Sequence, residues 1–338
     1  MIKVIGKYVL LLVFSLTCST GFLSIAYGSN GDGFIYSDKF FDVASIGSNY
    51  WIVGNKGVLF HSADRKKNWT RQDSGTDDAL LSVCFVDSEN GWAVGDAGTI
   101  IHTSNGGKSW TRQKSPIKKL LRSVYFIDKD RGWVVGTWSS LLITRDGGKT
   151  WKDSSIKGAS DDFTDETDRI FTCVFFTGPL TGWIVGEFNH IFHTRDGGLS
   201  WTRQEADVGK NYFTRIYFLN DREGWILGQD GLILYTTDGG ENWSVIKSDT
   251  KELLLDIIVK GEKGFIVGNK GVILTTSNGG RNWDKFQGSG SNISYWWLGA
   301  IDFSNGHGII VGGHSTILLT DTGGKEWYSY KQSTGIER

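Results

Sequence analysis

The chain of 338 residues contains only two prolines and three cysteines, and its formal net charge is close to zero. Little proline combined with 46 glycines and 15 tryptophans is typical of many short strands joined by glycine turns, and not of helices or disordered linkers. A net charge of −1 gives no general electrostatic reason to expect a nucleic-acid partner. Beyond the N-terminal segment only Cys84 and Cys173 remain. Because they fall at different positions of different repeats, we expect two small buried thiols and no disulfide.

Residues 1–28 differ from the rest of the chain. Lys3 and Lys7 precede an apolar run over 8–16, and small residues follow up to Gly28. This order is typical of a secretory signal peptide that is cleaved at the end of the segment. We therefore expect an exported protein. A lipid attached to Cys18 and an uncleaved N-terminal anchor are open alternatives.

An eight-residue motif recurs seven times and ends each time in tryptophan. Its fullest copy runs from Thr144 to Trp151 and reads Thr-Arg-Asp-Gly-Gly-Lys-Thr-Trp. The last copy has Thr322 in place of Asp or Asn, and the first has Arg65 and Lys66 in place of the two glycines. Such a period indicates a repeat architecture. The tryptophans, spaced by 41, 41, 50, 42, 40 and 44 residues, are Trp69, Trp110, Trp151, Trp201, Trp243, Trp283 and Trp327.

A second motif precedes the first in every copy and in its fullest form reads Gly-Trp-x-Val-Gly, as in 91–95, 132–136 and 182–186. Alternating apolar runs lie before and after it, so each copy contains four short strand-like runs bounded by Gly, Asn or Asp. Four strands per repeat of about 40 residues make one propeller blade. We predict an all-β protein, a seven-bladed β-propeller of four-stranded antiparallel blades over 38–330. A short segment over 29–37 precedes it, and a tail over 331–338 follows.

The chemistry of the tryptophan-ending motif predicts a turn between the third and fourth strands. Its Asp or Asn side chain can accept hydrogen bonds from backbone N–H groups of the same turn. Its glycines adopt positive φ without steric cost, and its hydroxyl offers a second local bond. The final tryptophan is predicted to bury its ring between blades. We therefore interpret all seven copies as structural.

The Ser/Thr-x-Asp-Gly-Gly-x-Thr-Trp pattern resembles the Asp-box of bacterial neuraminidase-type repeats. Together with Gly-Trp-x-Val-Gly one strand earlier, it is similar to the Ycf48/Hcf136 family of photosystem II assembly and stability factors. The resemblance covers nearly all of the chain after residue 28. It implies a propeller in the periplasm or the thylakoid lumen that acts without cofactor or catalysis, binding an assembling membrane-protein complex through a basic patch. We expect a monomer.

Residues that the repeat does not explain are the candidates for function. Twelve of the fifteen tryptophans belong to the two motifs, which leaves Trp138, Trp296 and Trp297. The turn after the second strand should open on the same face as the connections between blades, and aromatics mixed with arginine are typical of protein-binding surfaces. The alternative is that the three tryptophans only cover blade ends. The residues predicted to bind a partner are Arg122, Trp138, Arg169, Phe188, His190, Tyr212, Arg215, Tyr295, Trp296 and Trp297.

No metal site is predicted. The acidic run 161–168 accounts for the 50-residue spacing, and it is interpreted as a solvated loop because it has no defined Ca²⁺-loop pattern. His61, His102 and His193 occupy equivalent places in three different blades, which is too far apart for a shared metal ion.

Two other functions remain open. Asp-box propellers include sialidases, and a retaining glycosidase needs two carboxyl groups about 5 Å apart. Asp96, Glu187 and Asp230 are predicted to lie in turns of one face, but neither Pro116 nor Pro179 belongs to an Arg-Ile-Pro start motif. We therefore predict a protein without enzymatic activity. Glycan binding by stacked aromatics is the nearer alternative, and glycoside hydrolysis the more remote one.

Overall fold

The computed structural model describes residues 34–35, 37–156, 169–288 and 297–330. Within these ranges 28 strands form seven separate four-stranded antiparallel sheets, each built from four consecutive strands. This confirms the predicted seven-bladed propeller. The predicted signal peptide, the acidic run 161–168, Tyr295, Trp296 and the tail 331–338 lie outside the described residues.

The first strand of each blade lies nearest the axis, because first strands of successive blades contact one another around a closed ring that joins the last blade to the first. These strands are β1 (Phe40–Ile46), β5 (Leu80–Phe85), β9 (Leu121–Phe126), β13 (Phe171–Phe176), β17 (Phe213–Phe218), β21 (Leu254–Lys260) and β25 (Leu298–Ser304). The second strands carry the Gly-Trp-x-Val-Gly motif. They are β2 (Asn49–Gly54), β6 (Asn90–Gly95), β10 (Gly132–Gly136), β14 (Gly182–Gly186), β18 (Gly224–Gly228), β22 (Lys263–Gly268) and β26 (His307–Gly312).

The outer strands are shorter, since each fourth strand has only two or three residues. The third strands are β3 (Leu59–Ser62), β7 (Ile100–Ser104), β11 (Leu141–Thr144), β15 (Ile191–Thr194), β19 (Ile233–Thr236), β23 (Ile273–Thr276) and β27 (Ile317–Thr320). The fourth strands are β4 (Thr70–Arg71), β8 (Thr111–Arg112), β12 (Lys152–Asp153), β16 (Thr202–Gln204), β20 (Ser244–Ile246), β24 (Asp284–Lys285) and β28 (Tyr328–Ser329). Short 3₁₀ turns follow three of the second strands, at Asp96–Gly98, Gln229–Gly231 and Asn269–Gly271. Among the described residues, no helix is long and apolar enough to cross a membrane.

In the first five blades the tryptophan of the second strand joins the blade to the next. Trp92 is fully buried and stacks on Phe126 of the following blade, with ring centroids 3.6 Å apart. Its indole N–H donates to the backbone oxygen of Gly147 at 3.1 Å, and Phe126 meets Trp151 edge-on. The same contacts start from Trp51, Trp133 and Trp183. Burial of such rings contributes several kcal/mol per blade interface, which explains why both motifs recur.

The predicted turn chemistry is confirmed in the fullest copy of the motif. The Asp146 carboxylate accepts from the backbone N–H of Thr150 at 2.9 Å and from its hydroxyl at 2.7 Å. The Thr144 hydroxyl accepts from the N–H of Gly148 at 2.8 Å. Both Gly147 and Gly148 have positive φ. The polar groups of the motif are therefore engaged within the turn.

Blade one closes against blade seven through an arginine. Blade seven has the smaller Ile309 where most blades have tryptophan, and Arg65 of blade one, 4% exposed, extends into blade seven. Its guanidinium donates to the backbone oxygens of Gly308 at 3.3 Å and Thr320 at 2.9 Å, and it pairs with Asp321. The missing Gly-Gly pair of the first copy is thus matched by a missing tryptophan in the last.

The described part of the predicted 29–37 segment also belongs to this seam. Phe34 is fully buried, packing on Phe60 with ring centroids 4.3 Å apart and meeting Tyr330 edge-on. The Ser315 hydroxyl of blade seven donates to the backbone oxygen of Ile35 at 2.6 Å. The two ends of the described chain therefore meet in one cluster.

Candidate binding face and central cavity

A bulge at the second residue of each first strand shapes the centre of one face, and the glycine that ends each second-strand motif permits it. A Cβ on Gly95 would lie 1.7 Å from the backbone oxygen of Ala79, and one on Gly136 would lie 2.0 Å from that of Leu120. Because a bulge re-aims a side chain, two consecutive residues of each first strand can face the axis. The bulged residues, all of which line one cavity of about 360 Å³, are Phe41, Leu81, Arg122, Thr172, Thr214, Leu255 and Gly299.

In four blades the residue after the bulge places a polar side chain in the cavity. These residues, which we call the polar ring, are Asp42, Ser82, Arg215 and Asp256. Asp42 accepts from the N–H groups of Val43 and, across the blade boundary, Val83, both at 2.9 Å. Asp256 makes the equivalent two bonds at 2.9 Å and pairs with Arg215 Nε at 2.8 Å. Burial raises the pKa of Asp42 to about 6, although the Arg215 charge opposes this shift. Burial alone lowers the pKa of Arg215, but Asp256, Cys173 and Asp42 outweigh it and raise the value overall.

The remaining cavity wall combines apolar rings with one further cation. Trp297 stacks on Phe41 with ring centroids 5.6 Å apart and an interplanar angle of 20°. Arg122 is half-buried. Burial raises the pKa of Tyr212, and the charge of Arg122 offsets only part of this rise. Within the described part of the chain, Arg122 has no ion-pair partner.

Outside the cavity the same face carries two exposed aromatic side chains. Trp138 is 47% exposed and Phe188 is 55% exposed, and they occupy the same turn position in blades three and four. Both have positive φ, 63° and 55°, which is unusual for bulky residues. The Lys119 ammonium lies 5.3 Å from the Trp138 ring centroid, within cation–π range.

Polar contacts join these two turns to the next blade connection. The Ser139 N–H donates to the Arg169 backbone oxygen at 2.9 Å, and Arg169 Nη1 lies 2.6 Å from His190 Nε2. In blade four, Glu187 forms a β-bridge with Tyr212. A continuous surface therefore crosses blades three and four beside the cavity. We define the aromatic–basic strip as Lys119, Trp138, Arg169, Phe188 and His190. His190 is only 2% exposed, so it contacts Arg169 from beneath the surface and is not itself open to a partner.

The predicted partner-binding residues divide into three groups. Trp138, Arg169, Phe188 and His190 lie in the strip. Arg122, Tyr212, Arg215 and Trp297 line the cavity. Tyr295 and Trp296 lie outside the described residues. Arg215 differs from the expectation of a residue on the open face, because it lies in the polar ring and is ion-paired with Asp256.

Sequence reasoning missed Phe41, Asp42, Leu255 and Asp256, which line the cavity. A signal for the cavity residues was present, because they begin the apolar run before each Gly-Trp-x-Val-Gly motif. Aligning the seven runs on that motif places the bulged residues in one column.

The residues considered for other chemistry have structural contacts. His61, His102 and His193 lie against the second-strand tryptophan of their own blades, with ring centroids 5.1, 4.7 and 4.7 Å apart. Glu187 accepts from the N–H of Ile170 at 3.2 Å. Asp96 and Asp230 lie in 3₁₀ turns of different blades. No group of three potential metal ligands occurs within the described ranges.

Solved structures share the fold of this chain. One described as YCF48 bound to D1 peptide has 19% identity and a TM-score of 0.67, over 84% of this chain and 91% of that chain. YCF48 from Cyanidioschyzon merolae has 16% identity and a TM-score of 0.66, over 84% of this chain and 95% of that chain. A GH74 xyloglucanase from Xanthomonas campestris has 13% identity and a TM-score of 0.69, over 88% of this chain but only 55% of that chain. At these identities the likeness establishes the propeller fold alone.

The sequence comparison identifies the family. A comparison with curated protein sequences gives no match. The family model described as photosynthesis system II assembly factor YCF48 matches residues 112–167, 161–252 and 243–336, which together cover more than half of the chain. The resemblance of the repeated motifs to this family is thereby confirmed. The chain belongs to the YCF48 family of photosystem II assembly factors.

Proposed function

We propose that this protein is an exported, non-enzymatic photosystem II assembly factor that binds a segment of a membrane-protein subunit on the aromatic–basic strip. The observation that carries the proposal is the exposure of Trp138 and Phe188 at the same turn position of adjacent blades. Family membership supports the class of partner, since a structural relative is described as bound to a D1 peptide. The proposal includes a photosynthetic host.

The composition of the strip suits a protein partner. Large aromatic side chains together with arginine supply most of the binding energy in many protein interfaces. Here two exposed rings lie beside Lys119 and Arg169, so an apolar segment with neighbouring acidic groups fits both its shape and its charge.

The state of the central carboxylates supports a role without catalysis. Each of Asp42 and Asp256 accepts two backbone N–H bonds, and Asp256 also pairs with Arg215. A glycosidase needs one carboxyl group to give up a proton and a second to attack or to activate water. Carboxylates whose oxygens already hold adjacent blades together are poorly suited to either step.

The pattern of residues 1–28 supports export. Export can be tested separately from partner binding. Sequencing the N-terminus of the protein isolated from its host should show that the segment is absent. A chain that begins at Met1 in the soluble cytoplasmic fraction would contradict export.

Partner binding is tested by affinity isolation of the tagged protein from detergent-solubilised membranes of its host. We expect a photosystem II subunit, identified by mass spectrometry, to be retained by the wild type. The double variant Trp138→Ala and Phe188→Ala should lose at least nine tenths of it. The matched control is Leu199→Ala, which removes a side chain that is 79% exposed in a turn of the opposite face.

Three outcomes count against the proposal. They are recovery of no membrane protein, equal loss in the Leu199→Ala control, and full retention by the double variant. Specific retention on a glycan array, abolished in the double variant, would instead favour glycan binding.

A further inference from the structure

The central cavity has the features of a small-molecule binding site. It is distinct from the aromatic–basic strip. Its volume of about 360 Å³ lies within the range of about 300–1,000 Å³ that is usual for ligand pockets. Further along the first strands, Phe175 lies between Tyr125 and Tyr217, with ring centroids 5.1 and 5.4 Å away. The bulged residues that line the cavity lie at the start of the first strands, next to the blade connections, so a ligand enters from the face that carries these connections.

The cavity contains two arginines and two aspartates, but their charges are not equally available. Asp42 and Asp256 are committed to the backbone N–H groups of their own and the following blade. Arg215 is committed to Asp256. The charge that remains available to a ligand is that of Arg122, which has no ion-pair partner among the described residues.

The cavity wall around Arg122 is partly apolar. Trp297 stacked on Phe41 offers an aromatic surface, and Leu81 and Leu255 add apolar wall. Tyr212 lines the same cavity as Arg122, so its hydroxyl offers a further hydrogen-bonding group to a ligand there. A guanidinium recognises carboxylate strongly because its N–H groups match the two oxygens in geometry and charge.

We propose that this cavity binds a small organic carboxylate with an aromatic or branched apolar body, with the carboxylate on Arg122 and Tyr212 and the body against Trp297. The apolar wall excludes a bare inorganic anion as the preferred ligand, since such an ion leaves that surface without a partner. The cavity volume limits the body to about one or two rings.

The test uses the purified protein without its N-terminal segment, and isothermal titration with 3-phenylpropionate, indole-3-propionate and 4-methylpentanoate. Each acid is compared with its own neutral amide. We expect at least one acid to bind in a 1:1 ratio and at least tenfold more tightly than its amide. Arg122→Gln should abolish this preference, and Leu255→Trp, which fills the cavity, should abolish binding altogether.

Lys118→Gln is the matched control, because it removes an exposed cation from the same blade connection without changing the cavity lining. It should bind the acid like the wild type, as should the Trp138→Ala and Phe188→Ala double variant. The inference is wrong if no acid binds at millimolar concentration, if acid and amide bind equally, or if Arg122→Gln keeps the preference. None of these outcomes depends on the membrane-protein partner, so the two proposals can fail separately.

Discussion

One turn position combines a fixed backbone with a variable side chain. In every blade the second residue of the turn after the second strand has positive φ, including Lys56, Ala97, Asp230 and Lys270. The backbone therefore accepts any side chain at about the same conformational cost, and the side chain is free to serve another purpose. Trp138 is where the chain uses that freedom for a large exposed ring.

Replacing Trp138 by glycine or by alanine distinguishes the effect of the turn conformation on stability from the effect of the indole ring on partner binding. Both changes remove the indole, but only glycine relieves the left-handed strain, so we expect Trp138→Gly to exceed Trp138→Ala in free energy of unfolding by about 1 kcal/mol. Both variants should lose partner binding equally. Urea denaturation and the affinity isolation measure the two effects. Binding retained by the glycine variant would show that the ring is not what the partner recognises.

At the scale of the element, the turn before the fourth strand depends on an acceptor and not on a charge. Asn105 accepts from the N–H of Ser109 at 3.0 Å, Asn278 from that of Asn282 at 3.1 Å, and Thr322 from that of Glu326 at 3.0 Å. The aspartate copies add electrostatics to the same geometry. Hydrogen bonds from Ser200 are the main reason that the pKa of Asp196 falls to about 2.

This lowered pKa predicts a loss of stability in acid. An unfolded aspartate titrates near 3.9, so the stabilisation from ionised Asp196 is complete above about pH 4 and is lost as the pH falls towards 2. Asp196→Asn keeps an acceptor oxygen and should cost less than about 1 kcal/mol at pH 7. Thermal melts of wild type and variant should converge between pH 4 and pH 2.5. A melting-temperature difference that is constant over this range would contradict the assignment.

The strands and turns could be predicted from sequence, whereas the cavity could not. Alternation with period two and the recurring glycines fix where each strand begins and ends, and both signals are local. The bulge depends on which residues pair across two strands. Alternation alone would place Phe41 and Asp42 on opposite sides of β1, whereas the bulge lets both line the cavity. The same shift places Arg215 in the polar ring and not on the open face.

At the scale of the whole molecule, no strand is shared between the first and last blades within the described residues, so closure rests mainly on side chains. The Ser315 N–H adds one backbone bond to the Asp38 oxygen at 2.9 Å. Elsewhere a tryptophan, or Phe265 in blade six, meets the glycine turn of the next blade, and a Cβ on Gly280 would lie 2.6 Å from the Trp225 ring. At the seam both partners differ, since Ile309 is smaller and Arg65 larger. The larger side chain of Arg65 therefore fills the space that the smaller Ile309 leaves at the seam.

The contact of Arg65 with blade seven predicts how much closure of the ring contributes to stability. Arg65→Ala removes the guanidinium donor from the backbone oxygens of Gly308 and Thr320, so we expect a loss of about 3 kcal/mol in free energy of unfolding. Asp321 keeps its contacts with Lys66 and the Tyr328 hydroxyl and is not left unpaired. Arg195→Ala, the control, breaks an exposed pair with Glu241 and should cost less than about 1 kcal/mol. Combining Arg65→Gly and Lys66→Gly with Ile309→Trp restores both glycines and the tryptophan found in other blades. This triple variant should recover part of the loss relative to the double glycine variant alone. Hydrogen exchange should localise the effect of Arg65→Ala to β1 and β25, because these strands meet at the seam. Uniform exchange in all seven blades would show that closure is not limited by this contact.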